Sequence, residues 1–278
     1  LEKFSVIMSV YLKDNPESLE IALSSIWIRQ SLRPSQIVLV EDGTLSRELY
    51  CVIRSWQKKL GSLFEVISFS TNKGLGSALN VALQKCTFDL VARMDADDIS
   101  LPERFQKQVS FFSSNPSVDI LGTAVQEIEV FGRLIGERYV PVTHETIISN
   151  LWTCPMIHPT VMFRRFRILK AGNYSTDLRR RQDYELWFRC AEHGLRFHNL
   201  PEMLLQYRFG EHTHKKQSIK ISWQQGMIGF EGSGKIGIPM RHRLLCFVPF
   251  LRSLLPQQFQ HFAYKALSRW DPRKKVEK

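Results

Sequence analysis

Apolar runs alternate with helical patterns through the first hundred residues, and this alternation restricts the fold more than any other feature of the chain. Phe4 to Val10 reads as a buried strand, and Asn15-Pro16-Glu17 as the cap and first turn of a helix running towards Gln30. Gln36 to Val40 is a second strand, followed by a helical stretch over about Ser46 to Leu60. Phe64 to Phe69, a helix from Gly74 to Lys85, and Phe88 to Met94 complete the series. A period of roughly 30 residues per strand–helix–strand unit predicts right-handed crossovers and a parallel sheet. In such sheets ligands bind beyond the carboxyl ends of the strands. Four strand ends therefore converge on one edge. They carry Ser9 and Tyr11, then Glu41-Asp42-Gly43, then Asn72-Lys73-Gly74, then Asp95-Ala96-Asp97-Asp98.

The last of these places three carboxylates in four positions. Carboxylates so close repel one another unless a cation or strong donors compensate them. Released from a strand end, they suit a divalent metal held by oxygen ligands, which in turn could neutralise a diphosphate. An acidic turn at a helix start is the plainer alternative, because Ser100 and Glu103 around Pro102 read as a capping box. Asp97 and Asp98 are not needed for such a cap.

Beyond Leu101 the pattern is mixed: a helix to about Phe112, strands near Val118 to Leu121 and Gln126 to Val130, and an amphipathic helix opened by Gln182-Asp183-Tyr184-Glu185 and ending near Gly194. From Lys215 onward the chain reads as helical, basic and aromatic. Charge divides unevenly. Residues 1–159 hold 15 Lys+Arg and 18 Asp+Glu, a net −3, whereas residues 160–278 hold 23 and 9, a net +14. The second half therefore expects an anionic partner, and charge alone does not choose among nucleic acid, acidic lipid and a phosphorylated substrate.

The five cysteines are scattered and never form a CxxC pair, which predicts reduced thiols in a cytosolic setting. No signal-peptide pattern is present in the sequence, which begins at Leu1, and no apolar run reaches the roughly 18 residues of a spanning helix. Leu244 to Leu255, with Arg241 and Arg243 before it and Lys265 and Arg269 beyond, reads either as an interfacial helix or as a buried amphipathic one. Several motifs mislead. Gly74-Leu75-Gly76 lacks the third glycine of a dinucleotide fingerprint and follows the third strand rather than the first. Gly229 to Lys235 fits a phosphate-loop spacing but has Ile236 where Ser or Thr belongs. His193 and His212-Thr213-His214 lack zinc spacing. The basic tail with Trp223 and Trp270 has no nucleic-acid motif to support it, so no nucleic-acid partner is expected.

Taken in order, Phe4 to Tyr11, Val40-Glu41-Asp42-Gly43, Asn72-Lys73-Gly74, Asp95-Ala96-Asp97-Asp98, His158-Pro159-Thr160-Val161-Met162 and Gln182-Asp183-Tyr184-Glu185-Leu186-Trp187 resemble the family 2 glycosyltransferases. The resemblance spans roughly residues 4 to 210, and its DxDD and QDY variants look most like bacterial enzymes that build O-antigen or capsule on a lipid carrier. It implies an α/β GT-A fold: a Rossmann-like, mostly parallel sheet flanked by helices over residues 1–210, with a basic helical C-terminal extension over 211–278. Within the first domain, residues 1–100 would bind the nucleotide sugar and 101–210 the acceptor.

The resemblance also implies roles. Tyr11 would stack on the nucleobase, Asp42 with Ser9 nearby would accept from the uracil imide, and Lys73 and Gly74 would approach phosphate. Asp95 would lie near ribose and metal, and Asp97 would be the main ligand for Mn²⁺ or Mg²⁺. Asp98, His158 and Arg208 would face the acceptor, and Asp183 would be the catalytic base. The residue before that base is Gln182, where the family usually has Glu. The implied reaction is inverting transfer of a hexose, glucose or galactose, from a UDP-sugar to a polyprenyl-diphosphate-linked sugar, forming a β-linkage. The implied location is cytoplasmic, at the anionic inner face of the cell membrane. A nucleotidyltransferase acting on sugar phosphates and a noncatalytic basic nucleic-acid or membrane-binding module remain the alternatives from sequence.

Overall fold

In the computed structural model, residues 2–209 and 218–255 are described. The first four strands are β1 (Phe4–Val10), β2 (Gln36–Glu41), β3 (Phe64–Ser68) and β4 (Leu90–Arg93), and helices α1 (Pro16–Trp27), α2 (Arg47–Leu60) and α3 (Leu75–Lys85) connect them. All three pairings among these strands are parallel. Their carboxyl ends therefore share one edge, as the alternation predicts. Asn15 caps α1 through its side chain, with Pro16 in the first turn, and Ser46 caps α2 in the same way.

The sheet then changes character. After β5 (Ile99–Ser100) and α4 (Arg104–Ser114) come β6 (Ile120–Ile128), β7 (Leu134–Arg138), α5 (His144–Ser149), β8 (Met162–Arg164), α6 (Arg165–Lys170), α7 (Gln182–Glu192) and β9 (Phe197–Arg208). Strand order is β3-β2-β1-β4-β8-β6-β9-β5, with β7 paired to β6. β8 runs antiparallel to both β4 and β6, while β9 lies parallel to β6. The two short strands expected between Val118 and Val130 are one strand, β6, because β8 and β9 pair it from both sides. The capping box does not form: Ser100 is buried in β5, where its N–H donates to Ser25 Oγ, and Glu103 makes no side-chain cap.

Alternation of side chains along β1 sends Val6, Met8 and Val10 to one face and Ile7 to the other. The first face packs on α1, α2 and α4 through Leu23, Ile53, Trp56 and Phe105, and the second on α3 and α7 through Leu79, Leu83, Leu186 and Trp187. Three layers result.

The boundary expected at residue 210 falls outside the described residues, as do His212, His214, Lys265, Arg269 and Trp270. Past it, α8 (Ile219–Lys235), α9 (Met240–Leu245) and α10 (Val248–Ser253) follow. The phosphate-loop lookalike lies inside α8, where its glycines serve packing. A Cβ on Gly229 would stand 2.5 Å from the Tyr184 hydroxyl, and one on Gly232 would stand 2.3 Å from the Phe188 ring. Both rings belong to α7, so these glycines let α8 approach the helix that carries Asp183. Among the described residues no helix is long and apolar enough to cross a membrane.

Candidate active site

Two hollows open side by side at the carboxyl edge of the parallel strands, and Leu75, Asp95 and Arg179 line both. The first, about 270 Å³, gathers Ser9, Tyr11, Asp42, Gly74 and Asp97, five of the residues expected at a nucleotide-sugar site. The second, about 430 Å³, holds His158 and Asp183.

Close contact between the loops after β2 and β3 builds the floor of the first hollow. Gly43 has a φ of 90°, and a Cβ there would come within 2.7 Å of the Asn72 nitrogen. Asp42, buried at the end of β2, accepts from the Lys73 N–H at 2.6 Å, the Asn72 side-chain amide at 2.9 Å and the Gly74 N–H at 3.0 Å. Its carboxylate thereby fixes the third loop. Gly74, with a φ of 92°, needs glycine there. The Lys73 side chain does not enter the hollow: its ammonium sits 4.8 Å over the Phe69 ring. Arg179 stands at this wall instead, donating to Asn72 Oδ1 at 3.0 Å.

Tyr11 is 38% exposed at the rim, where its ring is available for stacking on a flat base. Its backbone N–H donates to Asp14 at 2.9 Å. Asp14 was not anticipated. Burial, with Asp97 and Asp95 adding repulsion, pushes its carboxyl up to about 7. The visible signal was an aspartate three residues past a strand-end tyrosine, which reads as turn chemistry alone.

In the acidic loop, one oxygen from each of Asp95, Asp97 and Asp98 lies within 4.8 Å of the others. Asp95 is tied to the buried Arg93 at 2.5 Å. Arg104, also fully buried, donates to the Arg93 carbonyl at 2.8 Å, and burial pushes its guanidinium down to about 9. Two arginines thus lie beneath three aspartates, counter-charges the sequence reading did not locate. They do not exhaust the cluster. Asp98 is 1% exposed, with one oxygen accepting from the Arg208 N–H at 2.8 Å and the other without a partner. Asp97 is exposed, and the desolvation of the cleft, followed by repulsion from Asp95, pushes it up to about 6. Hard oxygen donors, one of them buried and orphaned, fit a divalent cation such as Mn²⁺ or Mg²⁺.

Two of the residues expected to face the acceptor are placed differently. Asp98 lines neither hollow. Arg208 spends its guanidinium on the carbonyls of Asp97 at 2.7 Å and Glu129 at 3.1 Å, tying the end of β9 to the acidic loop and the β6–β7 hairpin. Burial accounts for the first and the clamp for the second. His158 does line the second hollow, yet it is buried, with Nε2 2.9 Å from the Tyr174 hydroxyl and its ring against Trp187. Burial, then the charge of Arg93, holds it well below the usual histidine range, so it is a neutral imidazole.

Asp183 sits in the first turn of α7, but Arg181 is the N-cap, which removes capping as its role. It is partly exposed to the second hollow and accepts no hydrogen bond among the described residues. Buried Tyr184 and Trp187 anchor the helix on either side. A carboxylate without a hydrogen-bond partner among the described residues thus stands across Asp95 from the acidic cluster.

Residues 5–172 match the family described as glycosyl transferase family 2. The amylovoran biosynthesis glycosyltransferase AmsE of Erwinia amylovora is 39% identical over 77% of this chain and 79% of its own length. An Escherichia coli protein named UDP-Gal:α-D-GlcNAc-diphosphoundecaprenol β-1,3-galactosyltransferase is 31% identical over 96% of this chain and 97% of its own. Among solved structures, Staphylococcus aureus TarS 1-349 in complex with UDP-GlcNAc superposes with a TM-score of 0.68 at 19% identity, covering 96% of this chain and 80% of that one. The mannosyltransferase PcManGT of Pyrobaculum calidifontis, in complex with GDP-Man and Mn²⁺, does so with a TM-score of 0.60 at 17% identity, covering 96% and 75%.

Proposed function

Since the chain belongs to glycosyl transferase family 2, has the GT-A fold and is a glycosyltransferase, we propose that it moves glucose or galactose from a UDP-sugar to a lipid-diphosphate-linked sugar. The observation that carries this reading is the wall shared by the two hollows: Asp95 borders both, with Asp97 in one and Asp183 in the other. The name of the Escherichia coli relative supports galactose, a GlcNAc-diphosphate-lipid acceptor and a β-1,3 linkage.

Nucleobase and ribose lie in the first hollow, against Tyr11 and over the loop that Asp42 fixes. Asp95 and Asp97 would hold the divalent cation, which when bound supplies positive charge to the departing diphosphate. Asp183 takes the acceptor hydroxyl proton as that oxygen attacks the anomeric carbon opposite UDP. The bond from that carbon to the diphosphate oxygen breaks as the glycosidic bond forms. One displacement inverts the centre, so an α-linked donor gives a β-glycoside. Neither Arg208 nor Asp98 is needed as an acceptor contact; they hold the acidic loop.

A melting panel of UDP-galactose, UDP-glucose, UDP-GlcNAc and GDP-mannose, each with and without Mn²⁺, tests the donor. Ligand at 100 times its Kd stabilises by about 2.7 kcal/mol, a Tm rise of roughly 5–10 °C for a chain this size. UDP-galactose or UDP-glucose with Mn²⁺ should give that rise. A rise only with GDP-mannose, or none at all, removes the reading.

Membrane attachment belongs to the same proposal. Leu244 and Leu251, each 59% exposed, lie on short helices close to Arg241 and Arg252, the arrangement of an interfacial surface. Binding to vesicles rich in anionic lipid, weakened by salt, is the expected result. Equal binding to neutral vesicles at any salt removes the electrostatic part.

A further inference from the structure

A buried guanidinium with unpaired nitrogens is costly to a fold, and Arg93 is one. It is 2% exposed at the end of β4, its Nη2 lies 2.5 Å from Asp95 Oδ1, and its Nε and Nη1 have no partner among the described residues. Replacing a buried ion pair by apolar side chains of similar size often leaves a protein equally stable or more so. Stability therefore does not account for this charge. Its position does. Alternation along β4 puts Arg93 with Val91 on the face that carries α7, and its guanidinium ends on Asp95, which both hollows share.

The charges that act on one another around the acidic loop nearly cancel. They are the carboxylates of Asp14, Asp95, Asp97 and Asp98 and the guanidiniums of Arg93, Arg104 and Arg208. With every carboxylate ionised, the most negative state open to it, the group carries a net −1. Arg179 at the wall of the first hollow, and Arg180, whose charge reaches Tyr11, make the surroundings more positive still. A divalent cation by itself meets little net attraction here. A diphosphate arriving with it supplies the negative charge that the protein withholds.

We propose that Arg93 is a positioning residue: it holds Asp95 at the wall between the hollows, and its buried charge makes the site take a cation together with a nucleoside diphosphate rather than alone. The inference rests on the cation and UDP-sugar reading above and adds the group that sets the balance between the two ligands. Arg104 contributes charge from α4, on the other side of the sheet, bonded to the Arg93 carbonyl rather than to Asp95.

Two titrations, Mn²⁺ without nucleotide and UDP in EDTA, separate this role from a structural one. Arg93→Gln removes the charge and keeps a donor for Asp95, whereas Arg93→Lys keeps the charge; circular dichroism reports folding. The Asp95 side chain is 32% exposed, so water can replace the lost partner. In Arg93→Gln, Mn²⁺ alone should bind about 10-fold more tightly and UDP alone about 10-fold more weakly, a fraction of the Coulomb energy between neighbouring unit charges once water and salt screen it. Arg93→Lys should stay close to the unaltered protein in both titrations. Arg104→Gln should move both in the same directions as Arg93→Gln, and it carries the test if that variant does not fold. A loss of shape would weaken both ligands. Weakening of both in a folded variant therefore overturns the proposal, as does a change in neither, or an Arg93→Lys protein that behaves like Arg93→Gln. Mn²⁺ bound by no form of the protein, with or without UDP, removes the cation site itself and this inference with it.

Discussion

Asp183→Asn lowers kcat by about 10²–10⁴-fold, the range typical of losing a positioned proton acceptor, while UDP-sugar binding with Mn²⁺ stays as it was. The expectation follows from where the carboxylate stands. It lies in the second hollow, makes no hydrogen bond among the described residues, and is carried by a helix fixed through Tyr184 and Trp187 rather than through itself. Asparagine keeps the shape and removes the basic oxygen. The Tm should therefore hold, and the loss should appear in kcat rather than in the KM of the donor. Near-normal turnover by a folded Asp183→Asn protein would remove it as base.

Asp97→Asn acts on the other hollow. It should weaken Mn²⁺ binding by more than the roughly 10–100-fold that follows loss of an outer-shell partner, and abolish the Mn²⁺-dependent part of UDP-sugar stabilisation. A pH signature accompanies it. Asp97 is pushed up to about 6 and Asp14 to about 7, both from an ordinary 3.8. Between pH 4 and 7 the folded, metal-free protein holds protons that the unfolded chain has released, so its stability falls as pH rises through this window. A cation binds the deprotonated carboxylates, so its stabilising effect grows over the same window. Melting curves from pH 5 to 8 in EDTA and in Mn²⁺ should therefore diverge as pH rises. In Asp97→Asn the divergence should collapse, and the metal-free slope should shrink to the part carried by Asp14 and by Asp98, whose carboxyl burial also raises. Curves that stay parallel in the unaltered protein would exclude Asp97 as a ligand.

Much of the donor half was readable because each strand is a continuous apolar run closed by polar residues, and each helix has a local start signal such as Asn15-Pro16 or Ser46. β8 has three residues and β9 is interrupted by Pro201, so their identity as strands depends on partners distant in the chain, which a local pattern does not register. Ser100 failed as a cap for the same reason: pairing of Ser100 with Leu205 outweighs the local helix signal. Asp42, Asp97 and Asp183 were legible because strand ends and motif order place them. Asp14 was not, since its raised proton affinity arises from burial and from two aspartates some eighty residues away. Arg93 and Arg104 read as ordinary charges within a strand and a helix. Only burial beneath the acidic loop shows them to be its counter-ions. Arg179 to Arg181 carry no local motif, and only the folded chain shows that all three line the second hollow.

The anomeric configuration of the product tests the arrangement most directly. With Asp183 proposed as the proton acceptor and Asp95 and Asp97 assigned to the cation, the two hollows call for a single displacement. With an α-linked UDP-hexose and the diphosphate-linked GlcNAc acceptor, the anomeric proton coupling in the NMR spectrum of the product should report a β-glycoside. An α-glycoside would contradict the account.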